Sequence, residues 1–233
     1  MDVIQGAKER ARAEVAQAIK EQARVHLATE GPGRLSLRAV ARELGMVSSA
    51  LYRYFPSRDE LLTALIVDAY DAIGGAAESA YAQAAGSSPW DAWHATCKAV
   101  RAWALAHPHE YALIYGSPVP GYDAPADTVA PASRVALVLL NVLERAHVAG
   151  VLAVAAQAAD AEAVLSPDVR ALLTERSLPA CTVTSAAAAW AQLFGLISFE
   201  VLGQFNQVID DREALFTQGV TALARQVGLS AER

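Results

Sequence analysis

Between Ser36 and Arg58 the chain runs Ser-Leu-Arg-Ala-Val-Ala-Arg-Glu-Leu-Gly-Met-Val-Ser-Ser-Ala-Leu-Tyr-Arg-Tyr-Phe-Pro-Ser-Arg, two short apolar-faced segments hinged on one glycine. Ser36 is placed to cap a helix, its hydroxyl accepting from an otherwise orphaned backbone N–H. Leu37, Val40, Ala41 and Leu44 follow at i, i+3, i+4 and i+7 and form an inner face, while Arg38, Arg42 and Glu43 point outward. Gly45 comes where a left-handed residue ends a helix without a side-chain clash. A second helix is expected to begin at Ser48 or Ser49, either of which could cap it. It would turn Val47, Leu51 and Phe55 inward and show Ser49, Tyr52 and Arg53 outward, with Pro56 as its stop. Two helices packed across such a turn make a helix-turn-helix, whose second helix enters the major groove of DNA with its N-terminal residues at base edges. The same spacing also occurs as an ordinary corner of helical proteins, so the surface chemistry has to decide.

That chemistry is specific. Leu35 through Leu62 resembles the N-terminal signature of the TetR family of bacterial transcriptional regulators. Close counterparts there match Leu44-Gly45-Met46, the run Ala50-Leu51-Tyr52-Arg53-Tyr54-Phe55, and Ser57 with Arg58, Glu60, Leu61 and Leu62. The resemblance covers about residues 13–73, including a preceding helix with Val15, Ile19, Ala23 and Leu27 on one face. It implies a base or phosphate contact for Arg38 and base contacts for Ser48, Ser49 and Ala50, which offer only hydroxyls and a methyl. Tyr52 would pack on the sugar-phosphate backbone and donate its hydroxyl to phosphate. Arg53 and Tyr54 would touch backbone, Tyr54 alternatively packing against the first helix. Arg58 would anchor a phosphate beside a helix start. Such contacts fix register more than they encode sequence.

Charge is distributed accordingly. Residues 1–65 carry ten Lys and Arg against eight acids, a net of +2, which leaves −8 for the remainder of a chain whose total is −6. An acidic protein of this kind excludes a nonspecific nucleic-acid coat but not a reader of short sites. The first thirty residues are amphipathic and charged rather than a secretory leader, so a cytoplasmic location is expected. The only segment expected to look membrane-like, Ala186 to Gly203, holds Gln192 and Glu200 and much alanine, and is expected to be a buried helix, with no membrane partner. Cys97 and Cys181 show no metal-type pairing and read as buried small residues.

The remaining length suits one further domain, and its alanine richness favours helices. The fold expected is all-α: an N-terminal three-helix helix-turn-helix domain (13–73) joined by a long helix to a C-terminal bundle that dimerises (74–228). Ser57 and Glu60 form a capping box opening the connector, with Leu61, Leu62, Leu65, Ile66, Ala69 and Ile73 along it. Gly86-Ser87-Ser88-Pro89 breaks the chain before a helix from Trp90 to Ala106. A short element at Tyr111–Tyr115 leads into a Pro- and Gly-rich loop, 116–131. Helices are expected at about 132–149, 155–164, 167–175, 184–208 and 211–227.

The 184–208 segment is apolar nearly all round, so it must be covered on every side. One side can meet its own core and the other a second chain. Phe199, Leu202 and Phe205 with Phe216, Val220 and Leu223 of the last helix are the candidate interface. In the TetR family the last two long helices form a four-helix dimer interface, which the resemblance implies here. Trp190, Phe194 and Gly195 resemble the Trp-His-Gly motif of one C-terminal subgroup, with Phe194 in place of the histidine. Trp93, Trp103, Tyr111, Tyr115 and Phe194 could line an apolar cavity for a small apolar or amphipathic effector, or simply be core aromatics. His94 with Cys97, and His107 with His109, fall short of a metal-ligand set, so no metal or cofactor is expected. No G-x-S-x-G elbow, H-E-x-x-H pair, P-loop or G-x-G-x-x-G fingerprint is present, which disfavours an enzyme. The resulting expectation is a homodimer that binds a palindromic double-stranded operator and is released by its effector. The alternatives are an activator or a DNA-binding protein without ligand control.

Overall fold

The computed structural model describes residues 3–153, 161–176 and 178–231. Among them lie ten α-helices and no strand: α1 Val3–Glu30, α2 Leu37–Glu43, α3 Ser48–Leu51, α4 Arg58–Gln83, α5 Pro89–Ala106, α6 Pro108–Tyr115, α7 Val129–Val148, α8 Pro167–Arg176, α9 Ala180–Val201 and α10 Arg212–Gln226. The helix expected at 155–164 falls mostly outside the described residues, and 161–164 form a turn. The one expected to reach 208 stops at Val201. Gly203 (φ +75°) and Gln207 (φ +62°) take left-handed conformations that a right-handed helix cannot contain.

The chain divides into two compact units, Met1–Asp71 with His107–Pro131, and Ala72–Ala106 with Ala132–Arg233. In the first, Ile19, Ala23 and Leu27 of α1 bury against Leu37, Val40 and Ala41 of α2, Leu51 of α3 and Leu61, Leu62 and Leu65 of α4. Leu113 of α6 and Val119 of the following loop join the same core. The first compact unit thus takes in 107–131, distant in sequence from the helices expected at 13–73. Polar bonds hold it there. Arg24 of α1 reaches Glu110 (2.9 Å) and Asp68 (2.7 Å), Tyr122 shares a 2.8 Å hydrogen bond with Thr63, and the Tyr70 hydroxyl donates to the Ile114 carbonyl.

In the second unit α9 is the central helix, burying Ala189, Leu193, Phe194 and Ile197 and packing with α5 and α10. Gly219 of α10 lets α9 approach, since a Cβ there would lie 2.6 Å from Leu196 Cδ1. The Trp93 indole N–H donates to the Val220 carbonyl at 3.3 Å. Glu200, the lone carboxylate of this apolar helix, is gripped bidentately by Arg101 of α5 at 2.7 Å for both bonds. Arg101 also bonds Glu213 and lies over the Phe216 ring. Not one segment but two, α9 and Ala126–Val148, are long and apolar enough to cross a membrane, because the alanine, valine and leucine run of α7 reaches the same hydropathy as α9. Here each carries buried core residues on one side and ionic contacts on another.

Candidate nucleic-acid interface

The reading element is set by backbone chemistry. The Ser36 hydroxyl accepts from the Ala39 N–H, opening α2. Gly45 at φ +67° closes it, with the Met46 N–H returning to the Ala41 carbonyl at 2.8 Å. The next cap differs from expectation. Val47, not a serine, occupies the N-cap of α3 and makes no side-chain cap bond, so Ser48 is already helical. That shift of register also turns Val47 outward: it is 70% exposed, whereas Leu51 is fully buried and Phe55 partly so. The helical turn ends with the Tyr54 N–H on the Leu51 carbonyl, before Pro56 is reached. The Ser57 hydroxyl then accepts from the Glu60 N–H and opens α4.

Arg38, Ser49 and Arg53 are exposed, Tyr52 is 41% exposed, and Ser48 and Ala50 are half-buried. Tyr54 packs against the core beneath them, with the Arg12 guanidinium 5.5 Å from its ring centre. Arg12 also donates to the Arg53 carbonyl, so α1 buttresses the turn that follows α3. Arg58 is half-buried, donating to the Pro32 carbonyl at 2.9 Å and pairing with Asp59 at 3.3 Å. No acidic residue occurs from Gly45 to Arg58. The exposed set can therefore donate to phosphates and offer hydroxyls and methyls to base edges without like-charge repulsion.

The second unit rearranges the other expected sites. Phe199 and Leu202 are each 53% exposed and Phe205 is partly so. Phe216, Val220 and Leu223 instead bury in their own chain, where the α5 contacts of Arg101 and Trp93 hold the first two, and little of them is left for a partner. A groove of about 460 Å³ between α9 and α10 is lined by Gln192, Gly195, Leu196, Phe199, Gly219 and Ala222, with Leu223 at its floor. Among the described residues a Cβ on Gly195 would meet nothing within 4 Å, so none of them requires a glycine there for packing.

The five candidate ligand aromatics do not gather in one unit. Tyr111 packs on Tyr115, and Tyr115 on Tyr70, in the first, where burial raises the Tyr115 hydroxyl well above its usual range. Trp93, Trp103 and Phe194 bury in the second. A different cavity, of about 360 Å³, opens between α7, α8 and α9, walled by Leu137, Leu140, Leu173, Val183 and Trp190, with Arg176 at its edge. Helical periodicity marked these positions as apolar but could not show that the helices leave room between them. Both ring nitrogens of His94 have protein partners, Trp90 O and Thr221 Oγ1, and burial pushes the Cys97 thiol far up. Among the described residues no group of three metal-ligating side chains comes together.

Comparison with known proteins agrees with this geometry. Residues 19–65 match the domain described as bacterial regulatory proteins, tetR family, and residues 93–223 match the tetracyclin repressor-like C-terminal domain. The chain is 40% identical over 204 residues, 86% of each chain, to the HTH-type transcriptional regulator Mb1846 of Mycobacterium bovis. It is equally similar to the HTH-type transcriptional regulator Rv1816 of Mycobacterium tuberculosis. A solved structure of SCO4313, described as a regulatory protein, superposes with a TM-score of 0.73 at 34% identity, covering 92% of this chain and 97% of that one. A helix-turn-helix built on Gly45, an all-helical second unit and relatives that are regulators rather than enzymes lead to one assignment: the chain belongs to the TetR family of bacterial transcriptional regulators, DNA-binding proteins of the helix-turn-helix class.

Proposed function

We propose that the protein is a cytoplasmic homodimeric repressor that occupies a palindromic operator and leaves it when a small apolar or amphipathic molecule enters the second unit. The observation that carries the dimer is the apolar face around the α9–α10 groove, where Phe199 near the end of α9 and Leu202 at its C-cap stand more than half exposed. A two-fold pairing of this face buries it and supplies two reading heads about 34 Å apart. Arg38, Tyr52 and Arg53 then hold the phosphate backbone. Val47, Ser49 and Ala50 meet the base edges, and the exposed Val47 methyls suit the methyl group of thymine.

The effector acts through α7 and α4. In the second unit Arg134 of α7 pairs with Glu78 of α4 at 2.6 Å, and its side chain fills the space left by Gly74. Arg145 of α7 covers the Tyr81 ring. A shift of α7 therefore pulls on α4, which continues unbroken to Arg58 at the reading head. The required coupling is about 1–3 kcal/mol in favour of the DNA-incompetent arrangement.

The test is a footprint and mobility-shift titration on the promoters flanking the protein's own gene. Two symmetric protected half-sites about 10 base pairs apart are expected. Arg38→Ala and Tyr52→Phe should each weaken binding roughly tenfold, as loss of a phosphate or base contact does. Full affinity in both variants would place the interface elsewhere, and a single unpaired half-site would remove the dimer from the account.

A further inference from the structure

We infer that the cavity between α7, α8 and α9 is a binding site for an amphiphilic monocarboxylate, its hydrocarbon part inside and its carboxylate on the outer edge of Arg176. The inference deepens the effector reading above and rests on it for its regulatory meaning, though not for binding itself.

The interior is almost wholly hydrocarbon. Leu137, Leu139 and Leu140 of α7, Val169 and Leu173 of α8, and Val183 with Trp190 of α9 form the walls. Trp190 is braced by the Phe194 ring at 5.4 Å. A volume of about 360 Å³ has room for on the order of ten methylene-sized groups at about 30 Å³ each. An apolar cavity of this size does not hold ordered water well, and a hydrocarbon chain fills it favourably.

The polar end is set by Arg176. Its Nη1 atom donates to Asn141 Oδ1 (2.5 Å) and pairs with Glu144 (3.0 Å). Among the described residues its Nε and Nη2 atoms have no partner, so one edge of the guanidinium fork is unspent at the cavity's rim. Glu144 does not bar a second carboxylate. Elsewhere in this chain Arg24 holds Glu21, Asp68 and Glu110 together, and Arg101 holds Glu200 and Glu213. Asn141, which Arg176 bonds through its side chain, accepts at its backbone carbonyl from Tyr81 of α4. A headgroup that draws Arg176 therefore acts one residue away from the connector helix.

The experiment is calorimetric titration of the full-length protein, without DNA, with decanoate, 1-decanol and methyl decanoate. Decanoate should bind at least tenfold more tightly than either neutral analogue. Arg176→Gln should erase that preference while leaving decanol binding unchanged, and Ala136→Leu, which narrows the cavity, should weaken all three. Melting temperatures of the unliganded variants serve as the folding control. No binding of any probe, equal binding of decanoate and decanol, or a preference that survives Arg176→Gln would each overturn the assignment. If decanoate binds as described but leaves operator affinity unchanged, the site stands and the effector reading fails.

Discussion

The two units solve the same problem, burying helices that cannot stand alone, by different means. In the first, helices far apart in sequence are tied by several modest polar bonds at the edge of the core: Arg24 to Glu110 and Asp68, Lys20 to Asp68, Thr63 to Tyr122. In the second, a nearly all-apolar helix is fixed chiefly by one concentrated clamp, Arg101 on Glu200, with an exposed Gln192–Gln226 bond and hydrocarbon packing that leaves a cavity and an uncovered face. Distributed bonds hold a reading surface in one geometry. Packing with spare volume allows a second geometry, which the proposed effector response requires.

The largest effect should follow from breaking the clamp. Glu200 and Arg101 side chains are 7% and 11% exposed, so Arg101→Ala strands a buried carboxylate and should cost about 3–5 kcal/mol. Hydrogen exchange should show protection lost from α5, α9 and α10 while α2 and α4's first turns keep theirs. Equal loss across both units would show one cooperative block, and the contrast drawn between them would fail. The double change Arg101→Leu with Glu200→Leu should recover much of the stability, because an apolar pair does not carry the desolvation cost of two ions.

The uncovered face gives the next largest effect. Phe199→Glu combined with Leu202→Glu places charge where both side chains are already more than half exposed, so the monomer should melt within about 0.5 kcal/mol of the parent. Sedimentation should nevertheless show monomers, and operator affinity should fall by about 100-fold or more as bivalent binding is lost. Dimers that persist would move the interface off α9.

How much of this was legible beforehand follows the range of the interactions. The helix-turn-helix was readable because its caps, its glycine and its apolar face are all local: Ser36, Gly45 and Ser57 do what short-range spacing predicts. The exposure of Val47 was not, since one residue of register at the N-cap separates inside from outside. Glu200 carried a usable signal, because a lone carboxylate in an apolar helix requires a cation, but nothing local points to Arg101 ninety-nine residues away. Phe216 and Val220 looked like interface residues because periodicity marks an apolar face without saying whose core it meets. The cavity at Leu137, Leu140 and Trp190 is a property of how three helices fail to close, which no single segment encodes.

Arg24→Ala is the counterpart of the Arg101 change in the first unit. Its ion pairs are 19–27% exposed at Asp68 and Glu110, and solvent screening reduces what each contributes. A loss of about 1–2 kcal/mol is expected, read by chemical denaturation, with faster exchange in α6. A cost as large as that of Arg101→Ala would mean that the first unit too hangs on one clamp.

The smallest effect is the most informative about reading. Val47→Ala removes two exposed methyl groups from a residue 70% exposed at the N-cap, so stability should change by less than about 0.5 kcal/mol. Operator affinity should fall by about 1 kcal/mol, and only through base pairs whose thymine methyl lies against this side chain. Replacing each operator thymine in turn by uracil deletes that methyl without altering the hydrogen-bonding edge. At the contacted pair the two deletions should be non-additive: uracil weakens binding of the parent but not of Val47→Ala. If uracil costs the same in both proteins at every position, Val47 does not read thymine. Specificity would then rest on Arg38, Ser49 and the spacing of the paired heads, and the first unit would be an instrument of position more than of sequence.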